Sequence, residues 1–166
     1  MSIRVLLSSK HKVVSEGIAA VLRTHPDMNL VGIAENTERT QALCDEVDPD
    51  VLLVGIHSHD AQELCLMQRM AHRDSPQNIV AYSSESDRNS IIEILDAGAK
   101  GYVSTTSSID ELMSAIRAAA AGRAELPEVH LRADQRVPYG RVVEVMGAAQ
   151  EAGLSRVGFV AEPPRR

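Results

Sequence analysis

Short apolar runs alternate with stretches of helical periodicity along the first three quarters of the chain. The apolar runs are continuous, as in strands that are buried on both faces, whereas the longer stretches repeat their apolar residues every three or four positions. We predict strands at Ile3–Leu7, Asn29–Ala34, Val51–Val54, Asn78–Tyr82 and Gly101–Val103. We predict helices at His11–His25, Thr37–Val47, Ala61–His72, Asp87–Ala97 and Ile109–Ala121, the last one opened by an N-cap at Ser108.

Five strand–helix pairs in strict alternation predict an α/β fold. Its five strands form a doubly wound parallel sheet, with helices on both faces. In such folds ligands bind beyond the carboxyl ends of the strands. These ends fall at Leu7–Lys10, Gly55–His57, Ser83–Ser84 and Ser104–Thr106, so we expect any functional site there.

The alternation of strands and helices breaks near residue 123, so we predict two domains, at 1–122 and 123–166. The second part reads as an extra β-α-β unit with strands at Val129–Ala133 and Val157–Ala161 around a helix from Pro138 to Ala152. A unit of about 40 residues rarely folds alone. We therefore expect it to dock on the main sheet or on another chain.

Composition narrows the function classes. The chain has 166 residues, of which 44% are hydrophobic and 24% charged, as in ordinary globular domains. The net charge of −6 disfavours a nucleic-acid partner, because phosphate binding needs clustered basic residues. No apolar run predicts a signal peptide or membrane insertion, so we expect a cytoplasmic protein. Cys44 and Cys65 lack metal-site spacing, and we expect buried free thiols.

Residues 1–122 resemble the receiver domain of response regulators, closest to the LuxR/NarL-type branch. The resemblance implies the CheY-like, flavodoxin-like sheet already predicted and a place in two-component signal transduction. It rests on short motifs in the right order and spacing, among them Ile3-Arg4-Val5-Leu6-Leu7, Asp50-Val51-Leu52-Leu53 and Ala97-Gly98-Ala99-Lys100-Gly101-Tyr102.

The same resemblance implies a degenerate phosphorylation pocket. In the family an acidic pair binds Mg²⁺, an aspartate accepts the phosphoryl group and a lysine binds the phosphate. The matching positions hold Ser9 and Lys10, Gly55, and Thr105. An acyl phosphate needs a carboxylate nucleophile, a metal counter-ion and a cationic clamp. We therefore predict a non-enzymatic pseudo-receiver with no catalytic residue, cofactor or metal.

Two switch positions of the family are retained. Ser83 stands at the phosphate-sensing hydroxyl, and Tyr102 stands at the aromatic position that rotates in response. Their retention fits a live switch, and it fits preserved packing of the fold more simply.

Three alternatives remain for the chemistry at the carboxyl ends of the strands. Phosphorylation at Asp60, Ser9 or Ser83 is one alternative, and a metal site at His57, His59 and Asp60 is another, although that cluster lacks further ligands at fixed spacing. A third alternative is a small anion or metabolite in the emptied pocket, which contains one cation and several hydroxyls.

From about residue 128 to 164 the chain resembles the closing part of the ExbD/TolR periplasmic domain, through Ala133-Asp134 and Val137-Pro138-Tyr139-Gly140 among other residues. Members of that family carry a transmembrane helix that we do not find here, so we do not expect coupling to a proton gradient. The resemblance implies a βαβ fold and self-association.

Two outputs compete for this second part. Residues 142–157 loosely imitate a helix-turn-helix, which would make the chain a transcriptional regulator with an atypical output segment. However, Val157–Ala161 reads as a strand, and Pro163-Pro164 leaves no room for a recognition helix. Our leading hypothesis is a signalling module that works through protein–protein contacts, as a homo-oligomer.

Overall fold

Strands and helices alternate through the first part of the chain. The computed structural model describes residues 2–57, 60–74, 77–85, 87–121, 129–131 and 157–159. The strands of the first part are β1 (Ile3–Ser8), β2 (Met28–Ala34), β3 (Val51–Ile56), β4 (Ile79–Ser83) and β5 (Gly101–Ser104). The helices are α1 (Lys12–Thr24), α2 (Thr37–Val47), α3 (Ala61–Ala71), α4 (Arg88–Asp96) and α5 (Ile109–Ala120).

The five strands form one parallel sheet in the order β2-β1-β3-β4-β5. Strand β3 lies in the middle, and all six of its residues are buried. The predicted fold class is confirmed. The strand boundaries differ from the predicted ones by one or two residues. The largest difference is at β3, which continues through Ile56 and therefore contains Gly55, the partner of Tyr82 of β4.

Helices cover both faces of the sheet. Since successive strand residues point to opposite faces, Leu52 and Leu53 of β3 belong to different apolar clusters. The first cluster packs against α2, α3 and α4. The second packs against α1 and α5, through Leu22, Met113 and Ile116. The apolar runs of β3 and β4 are thus buried from both sides along their whole length.

Helix ends follow their local sequence. Ser108 is the N-cap of α5, as predicted, and it also forms a capping box with Glu111. Its hydroxyl accepts the Glu111 N–H at 3.2 Å, and the Glu111 carboxylate accepts the Ser108 N–H at 3.1 Å. Asp60 caps α3 in a similar way by accepting the Gln62 N–H at 2.9 Å.

The two cysteines differ in environment. Cys44 is buried on α2, where burial raises the pKa of its thiol to about 11. Cys65 is exposed on α3, so the expectation of two buried thiols is wrong for this residue. It lies on the outer side of the helix, whose buried residues are Glu63, Leu66, Met67 and Met70.

The chain divides into two compact units, residues 1–124 and residues 125–166. The second unit contains β6 (Val129–Leu131) and β7 (Val157–Phe159), which pair in parallel. The parallel pairing of β6 and β7 agrees with the predicted β-α-β unit, because the two strands of such a unit are parallel. The predicted helix from Pro138 to Ala152 lies outside the described residues, and the division into domains at 1–122 and 123–166 stays a prediction.

Gly98 lies between α4 and β5 in a backbone conformation that favours glycine. It has φ +106°, and a Cβ added there would lie 2.4 Å from the Ala71 Cβ. We expect Gly98→Ala to lower the free energy of unfolding by roughly 1–3 kcal/mol, measured by urea denaturation followed by circular dichroism.

The matched control is Gly17→Ala on α1, where an added Cβ meets nothing within 4 Å. This change should stabilise the protein by about 0.5–1 kcal/mol, because alanine favours a helix over glycine. Equal effects of the two substitutions would contradict the geometry at Gly98.

Candidate functional site

The carboxyl ends of β1, β3 and β4 bring three predicted site residues to one edge of the sheet. Ser9 follows β1 and is 3% exposed, Gly55 lies inside the end of β3, and Ser83 ends β4 and is 1% exposed. Because β3 pairs with β1 on one side and β4 on the other, Gly55 stands between the other two. Two more predicted residues, Lys10 and Thr105, are exposed on the loops after β1 and β5.

The aromatic ring of Tyr82 lies against the α-carbon of Gly55. A Cβ added at Gly55 would be 2.6 Å from the Tyr82 Oη, 2.7 Å from its Cζ and 3.1 Å from its Cε2. The two residues are direct partners in the β3–β4 register, so they point to the same face of the sheet. Any side chain at position 55 would overlap the phenol as it is now placed.

The phenol of Tyr82 is held inside the protein. The residue is 3% exposed and belongs to the apolar cluster beneath α1 and α5. Burial raises the pKa of Tyr82, and the nearby Ser9 hydroxyl offsets part of that rise. In the described part of the chain, however, the Oη makes no hydrogen bond of ordinary geometry. Packing therefore positions this side chain more than hydrogen bonding does.

Lys10 is already paired with two carboxylates. Its Nζ donates to the Asp60 Oδ2, and it lies 3.7 Å from the Glu63 Oε1. The bond to Asp60 raises the pKa of Lys10 and lowers the pKa of Asp60. Glu63 is 4% exposed, so Lys10 compensates a carboxylate that is almost fully removed from water. The loop after β1 is thereby joined to the start of α3.

Glu63 also organises the loop after β3. Its Oε2 accepts the backbone N–H of His57 at 2.9 Å. Its Oε1 lies 3.5 Å from the His57 Nδ1, which makes no hydrogen bond within the described part of the chain. The His57 ring contacts that of His11, with 4.0 Å between ring centroids. His59 lies outside the described residues.

No group of three or more His, Cys, Asp or Glu side chains could hold a metal ion in the part of the chain that the structure describes. Of the two carboxylates that follow β3, Asp60 is bound to the Lys10 ammonium group, and Glu63 lies beside that group and accepts the His57 backbone N–H.

Ser83 and Tyr102 contact the same short segment. The Ser83 Oγ accepts the Glu85 N–H at 3.1 Å, while the Tyr102 hydroxyl donates to the Glu85 carbonyl. Burial raises the pKa of Tyr102, and the carboxylates of Glu85 and Asp87 add to the rise. Thr105 donates its backbone N–H to the Ser83 carbonyl at 2.9 Å. The loops after β4 and β5 are thus bonded to each other.

Sequence reasoning missed the roles of Tyr82 and Glu63. A glycine in a strand interior is a signal of close approach by another group, and an aromatic residue on the neighbouring strand is a frequent partner. For Glu63 the signal is its place on the same helical face as Met67 and Met70. Both signals need the register or the helix orientation to become specific.

Two family models match the chain. The model for the response regulator receiver domain matches residues 5–117, and the model for the biopolymer transport protein ExbD/TolR matches residues 71–164. The second match is longer than the predicted 128–164 and shares residues 71–117 with the first. In the structure, the shared stretch contains β4, α4 and β5, which belong to the five-stranded fold.

The chain is similar to curated regulators. It is 32% identical over 124 residues to the transcriptional regulatory protein LiaR of Bacillus subtilis, covering 75% of this chain and 59% of LiaR. It is 27% identical over 124 residues to the nitrate/nitrite response regulator NarL of Escherichia coli K12, covering 75% of this chain and 57% of NarL. The chain therefore spans about three fifths of the length of these relatives.

Solved receiver structures share the fold. The signal receiver domain of NarL from Mycobacterium tuberculosis superposes with a TM-score of 0.68 at 22% identity, over 74% of this chain and 98% of that domain. A LuxR-family response regulator from Aurantimonas gives a TM-score of 0.68 at 24% identity, over 74% of this chain and 88% of the other.

Among the described residues, no helix is long and apolar enough to cross a membrane.

We expect Lys10→Met to destabilise the protein by roughly 1–2 kcal/mol at neutral pH, because it leaves the buried Glu63 beside Asp60 without a cation. Asp60→Asn should cost less than about 1 kcal/mol, because asparagine still caps α3 and the lost pair is partly exposed. Urea denaturation followed by circular dichroism measures both.

The pH dependence checks the assignment. The pKa of Asp60 is lowered from 3.8 in the folded protein. The contribution of the ionised Asp60 to folding stability is therefore complete above pH 3.8 and is lost as the pH falls through the lower folded-state pKa. The pKa of Lys10 is raised from 10.5, so the contribution of its positive charge to folding stability is complete below pH 10.5 and is lost only as the pH rises through the higher folded-state pKa. The difference between wild type and Lys10→Met should be flat from about pH 5 to pH 9 and shrink below pH 4. A difference independent of pH down to strong acid would exclude the pair as its source.

Proposed function

The chain belongs to the response regulator receiver family and, over residues 71–164, to the ExbD/TolR family, and we propose that it signals without being phosphorylated. Receiver domains are non-enzymatic signalling units that work through other proteins. In this proposal the chain keeps the receiver surface and loses the phosphoryl chemistry, so that it acts by protein–protein contact.

One observation carries the proposal: Lys10 occupies the loop that would supply a metal-binding acid, and its charge is balanced internally by Asp60 and Glu63. A hard divalent cation needs free carboxylate oxygens. Here those oxygens face an ammonium group. With Gly55 at the position that matches the acceptor, neither the metal nor the nucleophile has a place.

Thr105 completes the argument. The family's phosphate-binding lysine falls on this residue, which offers a hydroxyl and no positive charge. A transferred phosphoryl group would therefore meet no cationic clamp from β5. The same pairing of Lys10 weakens the alternative of a small-anion site, because the cation that would attract the anion is already neutralised.

The C-terminal unit supplies the proposed partner contact. Its described strands, β6 and β7, are three residues long each, and a two-stranded pair is marginal in water. Further strands from another chain would stabilise such a pair and cover its edges. We propose that this unit associates with the same unit of a second copy.

We expect no phosphoryl adduct when the full chain is incubated with acetyl phosphate and Mg²⁺ and examined by intact mass spectrometry. The receiver domain of a relative that retains the acceptor aspartate is the positive control and should gain one phosphoryl group under the same conditions. A stoichiometric adduct on the wild-type chain would refute the proposal, and peptide mapping would then decide among Asp60, Ser9 and Ser83.

Light scattering of the full chain and of a chain ending at residue 124 tests the role of the C-terminal unit. We expect a dimer or larger oligomer for the full chain and a monomer for the shortened chain. Two monomers of equal stability would show that residues 125–166 do not mediate association.

A further inference from the structure

Tyr82 stands where a side chain at position 55 would have to be. Real Cβ atoms essentially never lie within 3.0 Å of a non-bonded heavy atom, yet a Cβ at Gly55 would lie 2.6 Å from the Tyr82 Oη and 2.7 Å from its Cζ. We propose that Gly55 and Tyr82 form a coupled pair, in which the phenol replaces the missing acceptor side chain and closes the site to a phosphoryl donor. The inference rests on the proposed function.

The ring cannot yield without loss of packing. Tyr82 is surrounded by a cluster of buried residues that includes Leu53, Val80 and Val103. Protein interiors are close-packed, so a ring that turned away would leave a void and expose apolar surface. A new side chain at position 55 therefore costs either overlap or a cavity, and this cost belongs to the pair of residues together.

The phenol also crosses the middle strand. Tyr82 belongs to β4, its ring passes over Gly55 of β3, and its hydroxyl comes near Ser9 after β1, close enough to affect the pKa of Tyr82. Only glycine in β3 leaves room for this crossing. A position that would face a phosphoryl donor in an open site is covered here by a buried aromatic ring.

The test is the stability of Gly55→Ala in three backgrounds: wild type, Tyr82→Phe and Tyr82→Leu. In wild type and in Tyr82→Phe the ring carbons remain, so Gly55→Ala should lower the urea midpoint by on the order of 1 M. In Tyr82→Leu the ring is gone, so adding Gly55→Ala should leave the midpoint unchanged or raise it. Tyr82→Phe alone should not destabilise, because the lost hydroxyl makes no hydrogen bond with any described residue.

Gly101→Ala is the matched control. Gly101 is also a buried strand glycine, but an added Cβ would make ordinary contacts, the nearest at 3.6 Å from Val80. Its effect should be small and the same in all three backgrounds. An equal effect of Gly55→Ala in all three backgrounds would overturn the coupled pair.

A measurement on the wild-type chain keeps the inference testable if a variant fails to fold. Nuclear Overhauser spectra should show strong cross-peaks between the Gly55 α-protons and the Tyr82 ring protons, and their absence would overturn the inference. The two proposals fail separately: phosphorylation of the wild-type chain refutes the proposed function, whereas additive substitutions refute only the pairing of Gly55 with Tyr82.

Discussion

Burial of β3 on both faces is the constraint from which the site follows. The strand lies between β1 and β4, and helices cover both sides of the sheet. The residues of β3 up to its carboxyl end must therefore pack as an interior does, without voids larger than a water molecule. When position 55 carries no side chain, that space has to be filled from a neighbour. Tyr82 of β4 is the neighbour in register, and its ring fills the space.

Charge at this edge is balanced in the same local manner. Glu63 is almost completely buried and would be costly without a compensating group. It receives the His57 backbone N–H and lies beside the Lys10 ammonium group, which also bonds to Asp60. A cation that belongs to the chain thus satisfies carboxylates that would otherwise attract a cation from solution. Lys10, Asp60 and Glu63 form a closed electrostatic unit.

The sequence predicts the sheet well and the site only in part. Strands buried on both faces leave continuous apolar runs, and amphipathic helices leave a periodic pattern, so both elements are visible locally. Gly55 misled the prediction of the β3 end, because glycine reads as a terminator when its partner strand is unknown. The contact with Tyr82 depends on the β3–β4 register, and the burial of Glu63 depends on the rotation of α3. Neither is encoded in a short window of sequence.

The contacts of the retained switch residues, Ser83 and Tyr102, bear on how a signal could enter the proposed module. Ser83 and Tyr102 both bind the Glu85 backbone, and Thr105 binds the Ser83 carbonyl. These bonds join the loops after β4 and β5 to each other, while the ring of Tyr82 covers Gly55. Under the proposed function, a change in these loops has no source at position 55. It has to come from a protein that contacts the loops from outside, which makes partner binding the input as well as the output.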